Sequence, residues 1–282
     1  MAGMETEPRG TRARSIAATP IRKPRPARRS SAADRSSRDI TLIVFCRDPV
    51  AGQTKTRLIP RLGAANAAAL ARAFIDDALR KCRALAPARI LIAASAPGGG
   101  VANSPWLRRI ARRFGAVLVD QGSGGLGARM AHALEPYRAG GAALIGTDTP
   151  SLPLELLARS VALLRRAPVV IAPSLDGGYY LVGVRGPMPE IFRAIRWGRA
   201  SVLSQTLARL RRSRTRYALG PAWYDVDRMS DVALLAAHLA RMKTQDGTAS
   251  ARGHDGASRP SPLPCPATAR VLQRLGLIRA GR

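Results

Sequence analysis

The densest chemistry in this sequence lies in Arg47-Asp48-Pro49-Val50-Ala51-Gly52-Gln53-Thr54-Lys55-Thr56-Arg57. Gly52 permits a tight loop whose backbone N–H groups can wrap phosphate oxygens, with the Lys55 ammonium as a point charge, Arg47 and Arg57 as forks and Thr56 as a hydroxyl donor. The GxxxxGK[ST] spacing is absent, so this is not a Walker loop. Lysine occurs only four times in the chain, against 42 arginines. A general basic drift therefore does not account for Lys55.

Carboxylates supply the second ingredient. Asp148 follows the apolar run Ala142–Ile145 in Gly146-Thr147-Asp148-Thr149-Pro150. There it could share a hard divalent cation, Mg²⁺ or Mn²⁺, with a diphosphate. Its competing role is to cap the next helix, for which Ser151, two residues before Pro153, is better placed. Asp225 and Asp227 alternate in Trp223-Tyr224-Asp225-Val226-Asp227 and could meet one cation, although Ser230 and Asp231 also mark an ordinary helix start. Asp176-Gly177-Gly178-Tyr179-Tyr180 is first a tight turn. Its functional reading is close approach of a nucleotide to the Gly177 and Gly178 backbone, with Tyr179 or Tyr180 stacking on it.

Other chemistries lack their residues. There is no GxSxG elbow and no HExxH, and His132, His238 and His254 are scattered, as are Cys46, Cys82 and Cys265. Gly122-Ser123-Gly124-Gly125-Leu126-Gly127 satisfies GxGxxG, but it follows the third apolar run rather than the first, and the Thr149-Pro150 turn after Asp148 leaves no open ribose site.

These residues need a scaffold. Short apolar runs (Ile40–Cys46, Arg89–Ala94, Ala116–Val119, Ala142–Gly146, Val169–Ala172) alternate with helical patterns over Ala64–Leu85, Pro105–Phe114, Leu126–Tyr137 and Pro153–Arg166. Unbroken apolar runs separated by helices predict parallel strands buried on both faces, a doubly wound α/β sheet. Tyr179–Val184 reads as a further strand, antiparallel or at an edge, followed by strand Thr215–Leu219 and a closing helix from Ser230 to Met242. Ligands of such sheets bind beyond the carboxyl ends of the strands, where the loop, Asp148 and Asp227 all fall.

Residues 1–38 and most of 244–282 are Pro-, Ser- and Arg-rich without apolar periodicity, which predicts disordered tails around a folded unit at 39–243, with one short helix within Ala267–Ile278. The net charge of +28 is spread through all three parts. Scattered cysteines, the lack of an apolar targeting segment and the lack of a membrane-length run predict a soluble, cytoplasmic protein. Aromatic residues are only 4% of the chain, so base stacking has little to work with and nucleic acid is not the expected partner.

The ordered motifs VFCRDPVAGQTKTRLIPRLG, IGTDTPSLP, DGGYYLVG and WYDVDRMSDV resemble the glycosyltransferase-A-like family of radical-SAM/selenodomain-associated transferases, over about 40–243. The resemblance implies a nucleotide-diphosphosugar transferase fold, related to the phospholactate and molybdopterin guanylyltransferases. It implies that Arg47, Lys55 and Arg57 hold donor phosphates, that Asp148 binds a metal and that Asp227 is a second metal ligand. Gly125 stands where such relatives tend to carry an acidic residue. The expected activity is metal-dependent transfer from a nucleotide-activated donor, an NDP-sugar or an NTP, to a small acceptor. Nucleotidyl transfer to a small phosphorylated acceptor is the alternative, and nucleic-acid binding on an inactive transferase scaffold is a further one.

Overall fold

The computed structural model describes residues 39–97, 100–250 and 263–279, the last eight residues of 100–250 as backbone only. The expected basic tail at 1–38 lies outside them. Seven strands form one sheet: β1 (Thr41–Arg47), β2 (Arg89–Ser95), β3 (Val117–Asp120), β4 (Ala142–Ile145), β5 (Val169–Pro173), β6 (Tyr179–Val184) and β7 (Tyr217–Leu219). Their spatial order is β3-β2-β1-β4-β6-β5-β7. The sheet is parallel except for β6, which runs antiparallel to both β4 and β5. The reversal fits the Asp176-Gly177-Gly178 turn, which joins β5 to β6 too tightly for a parallel crossover. Of the two placements expected for this strand the antiparallel one holds, and because β6 is flanked on both sides the edge alternative does not.

Besides a single α-helical turn at Ile59–Leu62, the longer helices are α1 (Ala64–Ala84), α2 (Pro105–Phe114), α3 (Leu126–Leu134), α4 (Leu154–Ala162), α5 (Val202–Arg212), α6 (Met229–Ser250) and α7 (Pro266–Arg274). The predicted ends of the helices starting at Leu126 and Pro153 differ from those found: α3 and α4 each stop early and continue as a 3-10 turn, Glu135–Tyr137 and Leu163–Arg165. In α3's case Pro136 cannot extend the α-helical ladder. Sequence reasoning left 185–214 without a helix, yet α5 is there. Its buried positions Val202, Thr206 and Leu210 are four apart, among three arginines in its last turn.

Alternation along the strands fills both faces of the sheet. Leu42, Val44, Ile90 and Ile92 meet Ile75 and Leu79 of α1, Leu107 of α2 and Leu157 of α4. On the other face Ile43, Leu91, Leu144 and Val182 meet Met130 and Leu134 of α3 and Leu210 of α5. A third cluster lies behind α1, where Leu70 and Phe74 pack with Leu235 and Leu239 of α6 and Val271 and Leu272 of α7. Asp77 of α1, fully buried, accepts hydrogen bonds from the backbone N–H groups of Ala267 and Thr268 at 2.9 and 2.8 Å, satisfying orphan donors at the start of α7. The buried Lys81 ammonium donates to the Pro150 carbonyl. Among the described residues no helix is long and apolar enough to cross a membrane.

Candidate functional site

Chain order reverses between β1 and its neighbours. β2 lies on one side of it and β4 on the other, so the segments after β1 and β4 border a crevice at the switch point. Val44 is paired with Ile145, the last residue of β4, so Gly146-Thr147-Asp148 continues past the end of that pairing. The crevice holds about 500 Å³ and is lined by Arg47, Thr54, Lys55, Thr56 and Arg57 from the first loop, together with Asp148, Asp227, Gln121 and Arg129.

Lys55 is the hub. Its backbone is left-handed (φ 47°, ψ 43°), a conformation that costs a non-glycine residue about 1–2 kcal/mol. Four contacts hold it there. The ammonium lies 2.8 Å from Asp148 Oδ1 and 2.8 Å from Asp227 Oδ1, donates to the Val226 carbonyl at 2.7 Å, and sits over the Phe74 ring, 5.3 Å from its centroid. Burial works against the charge, but the Asp148 and Asp227 carboxylates more than offset it and hold Lys55 above the ordinary lysine range. Burial likewise pushes Asp227 up, yet Lys55 and then Arg57 outweigh it, and that carboxyl lies below its usual range.

The segment carrying Asp227 is fixed independently. Val226 N–H donates to the Asp148 carbonyl at 2.8 Å, tying the two carboxylate segments together. Asp231 Oδ2 accepts from the N–H groups of Asp227 and Arg228 at 3.0 and 2.7 Å, so Asp231 supplies the helix-start chemistry and Asp227 is left for the crevice.

Several expected residues lie elsewhere. Asp225 does not join Asp227 at a shared cation: its Oδ1 accepts from Ser174 Oγ at 3.1 Å, and burial with the nearby Asp176 pushes its carboxyl up. Gly177 and Gly178 are not among the lining residues. A Cβ on Gly177 (φ +87°) would fall 2.1 Å from the Ala200 carbonyl oxygen, so that glycine serves the close packing of the turn on the chain before α5. Tyr179 packs edge-on to Trp197, and Tyr180 donates to the Pro221 carbonyl at 2.9 Å, so neither ring faces the crevice. Gly52 (φ +84°) shapes the first loop without lining the crevice. Ser151 does not cap α4; its Oγ accepts from the Trp223 indole N–H at 3.1 Å. In the glycine-rich stretch, a Cβ on Gly127 would fall 2.7 Å from the Phe192 carbonyl oxygen, a packing requirement rather than a cofactor's.

Sequence reasoning passed over Gln121 and Arg129. Gln121 is 1% exposed at the end of β3. Its Nε2 donates to the Cys46 and Ala93 carbonyls at 2.8 and 3.0 Å, and its Oε1 accepts from Arg129 Nη1 at 3.1 Å. An amide immediately after the strand end at Asp120 was the available signal.

No group of three or more His, Cys, Asp or Glu side chains that could hold a metal occurs among the described residues. Asp227 is the more occupied of the two carboxylates: Lys55 takes its Oδ1 and Arg57 Nη1 approaches its Oδ2 at 3.3 Å. Asp148 fits better. Its side chain is 47% exposed and only its Oδ1 is engaged by Lys55.

The fold is of the nucleotide-diphosphosugar transferase type. A protein from Desulfovibrio desulfuricans G20, provisionally described as a nucleotide-diphospho-sugar transferase, superimposes with a TM-score of 0.67 at 29% identity, covering 86% of this chain and 97% of its own. Weaker likenesses are glucosyl-3-phosphoglycerate synthase from Mycobacterium tuberculosis in complex with Mg²⁺ and UDP (TM-score 0.47, 11% identity, 77% and 84% covered) and the inositol-1-phosphate CTP transferase from T. maritima (0.46, 11%, 69% and 91%). Residues 78–199 match a family described as an uncharacterized protein conserved in bacteria, DUF2064. That stretch contains Gln121, Arg129 and Asp148 and leaves Lys55 and Asp227 outside. No curated protein matches the sequence.

Proposed function

We propose that this protein is a transferase that binds a nucleotide-activated donor in the crevice beyond β1 and β4 and passes its glycosyl group to a small acceptor. The observation that carries this reading is the meeting of Lys55, Asp148 and Asp227 at the switch point. Such a preset cation, next to Arg47 and Arg57, suits a diphosphate whose negative charge grows as it leaves. The likeness to the D. desulfuricans protein supports the same class.

The residues divide the work by their geometry. Arg47 and Arg57 are exposed at the crevice and offer forks to phosphate oxygens. Lys55 is held rigidly by its two carboxylates, so its position is set before the donor arrives and little reorganisation remains for the transfer step. Asp227 acts on Lys55 rather than on the donor. Asp148 would hold a Mg²⁺ or Mn²⁺ together with the donor's own phosphate oxygens, the arrangement such ions favour where one carboxylate is available. When bound, the ion supplies positive charge to the diphosphate leaving group.

The test is to incubate the purified protein with Mn²⁺ or Mg²⁺, a panel of NDP-sugars and NTPs, and cell-extract acceptors, and to weigh the products. Release of a nucleoside diphosphate with a glycosylated acceptor is expected. Pyrophosphate released from an NTP would replace the glycosyl reading with a nucleotidyl one, and no turnover by either route would remove both.

A further inference from the structure

Arg129 lines the same crevice as Lys55, and its guanidinium is only partly used. Nη1 donates to Gln121 Oε1 at 3.1 Å. Nε is buried and has no hydrogen-bond partner. Because the guanidinium is planar, Nε–H and one N–H of Nη2 point the same way, forming the edge that takes two oxygens at once. That edge carries the unmet donor, and the side chain lines the crevice. No carboxylate pairs with Arg129 among the ion pairs of the described residues, so a neutral amide oxygen is the partner shown for a full positive charge.

Gln121 explains why Arg129 keeps this pose. Both donations of its Nε2 go to backbone carbonyls, of Cys46 at the end of β1 and Ala93 on β2. The amide cannot flip without putting its oxygen against those carbonyls, so Oε1 must face Arg129. The sheet thereby fixes the amide, and the amide fixes one edge of the guanidinium. Burying an unpaired donor is costly unless something meets it, and inside the crevice that something is a ligand.

We propose that Arg129 recognises a two-oxygen anionic group of the bound ligand, a phosphate or a carboxylate, through its Nε/Nη2 edge, and that Gln121 is the positioning residue that presents it. The inference rests on the crevice being the ligand site and assigns an anion subsite at Arg129 in addition to the basic loop of Arg47, Lys55 and Arg57. A donor phosphate and the anionic group of an acceptor share this chemistry.

Calorimetry on the full chain separates the outcomes, with three probes: inorganic pyrophosphate, UDP and GDP as nucleotides, and inorganic phosphate added to nucleotide-loaded protein. Arg129→Gln is expected to weaken the affected probe by about 10- to 100-fold, as losing a charge-assisted bidentate contact should. Arg129→Lys should recover only part, since a point charge lacks the fork. If pyrophosphate and nucleotide both weaken, the anion is the donor's. If only phosphate on the loaded protein is lost, the anion belongs to the acceptor. Gln121→Leu should weaken the same probe less, and the double variant should lose no more than Arg129→Gln alone, a coupling that a fold defect would not reproduce. Equal binding of every probe by parent and Arg129→Gln overturns the proposal. Pyrophosphate binding that depends on Arg129, in a protein that binds no nucleotide, would uphold the proposal while removing the transferase reading. A parent that binds none of the probes removes both.

Discussion

Lys55 and Asp227 are 172 positions apart in sequence and 2.8 Å apart in space. Their pairing joins the loop after the first strand to the segment before α6. Replacing Lys55 with Met should therefore do two things. Donor affinity should fall about 10- to 100-fold, because Asp148 and Asp227 would then face the donor phosphates without the cation that offsets them. Stability should fall by about 1–2 kcal/mol, at the low side for a broken ion pair because both carboxylates reach water. Nucleotide calorimetry and urea unfolding check the two effects; unchanged nucleotide affinity would remove Lys55 from the site.

Asp148 and Asp227 should separate under a metal titration. Asp148→Asn is nearly isosteric at a half-exposed position, so the fold should persist while Mn²⁺ no longer strengthens UDP or GDP binding. Asp227→Asn should weaken binding by the same factor with and without Mn²⁺, because it acts through Lys55. Equal metal dependence in the parent and Asp148→Asn would show Asp148 to be a turn residue.

The thiols give a pH-dependent prediction. Burial pushes Cys46, Cys82 and Cys265 up from 9.0 to about 12 each, with nearby Asp side chains adding to the effect at Cys46 and Cys265. Thiolate is the reactive form, so the folded protein should resist iodoacetamide at pH 8 and react fully once unfolded. The unfolded chain releases these protons at lower pH than the folded one. Stability should thus be intact below pH 9.0 and decline between there and about 12, by about 1.4 kcal/mol per pH unit for each thiol. Urea midpoints measured from pH 8 to 11 test the slope.

Much of the fold could be read from the sequence because parallel strands buried on both faces are continuous apolar runs, and Ile40–Cys46 or Val169–Ala172 have no other reading. β6 was legible as a strand but not as an interior one, since its place depends on pairing with β4 and β5. The first loop and Asp148 could be found by spacing from strand ends. The bond from Lys55 to Asp227 could not, because nothing local announces a partner 172 residues away. Arg129 was hidden for the opposite reason: among 42 arginines, one more carries no signal until its neighbours are known.

Asp77 offers a prediction away from the crevice. Asp77→Ala leaves the buried N–H groups of Ala267 and Thr268 unmet and should cost about 1–3 kcal/mol. Cys265, fully buried beside that helix start, should then become the most reactive thiol under native conditions. Mass-mapped alkylation distinguishes this from a general loosening, in which Cys46 and Cys82 would react equally.

The same contact has a bearing on how the chain is made. Asp77 meets a partner 190 residues further along, so while the protein emerges from the ribosome the Leu70 and Phe74 side of α1 has no α7 to cover it until synthesis is nearly past residue 274. The sheet-facing side of α1 can dock as soon as β1 and β2 exist. Its outer side stays open to chaperones and to other nascent chains for most of translation. Ribosome-arrested chains stopped before and after α7 should accordingly differ in protease resistance along α1, the shorter being cut and the longer protected.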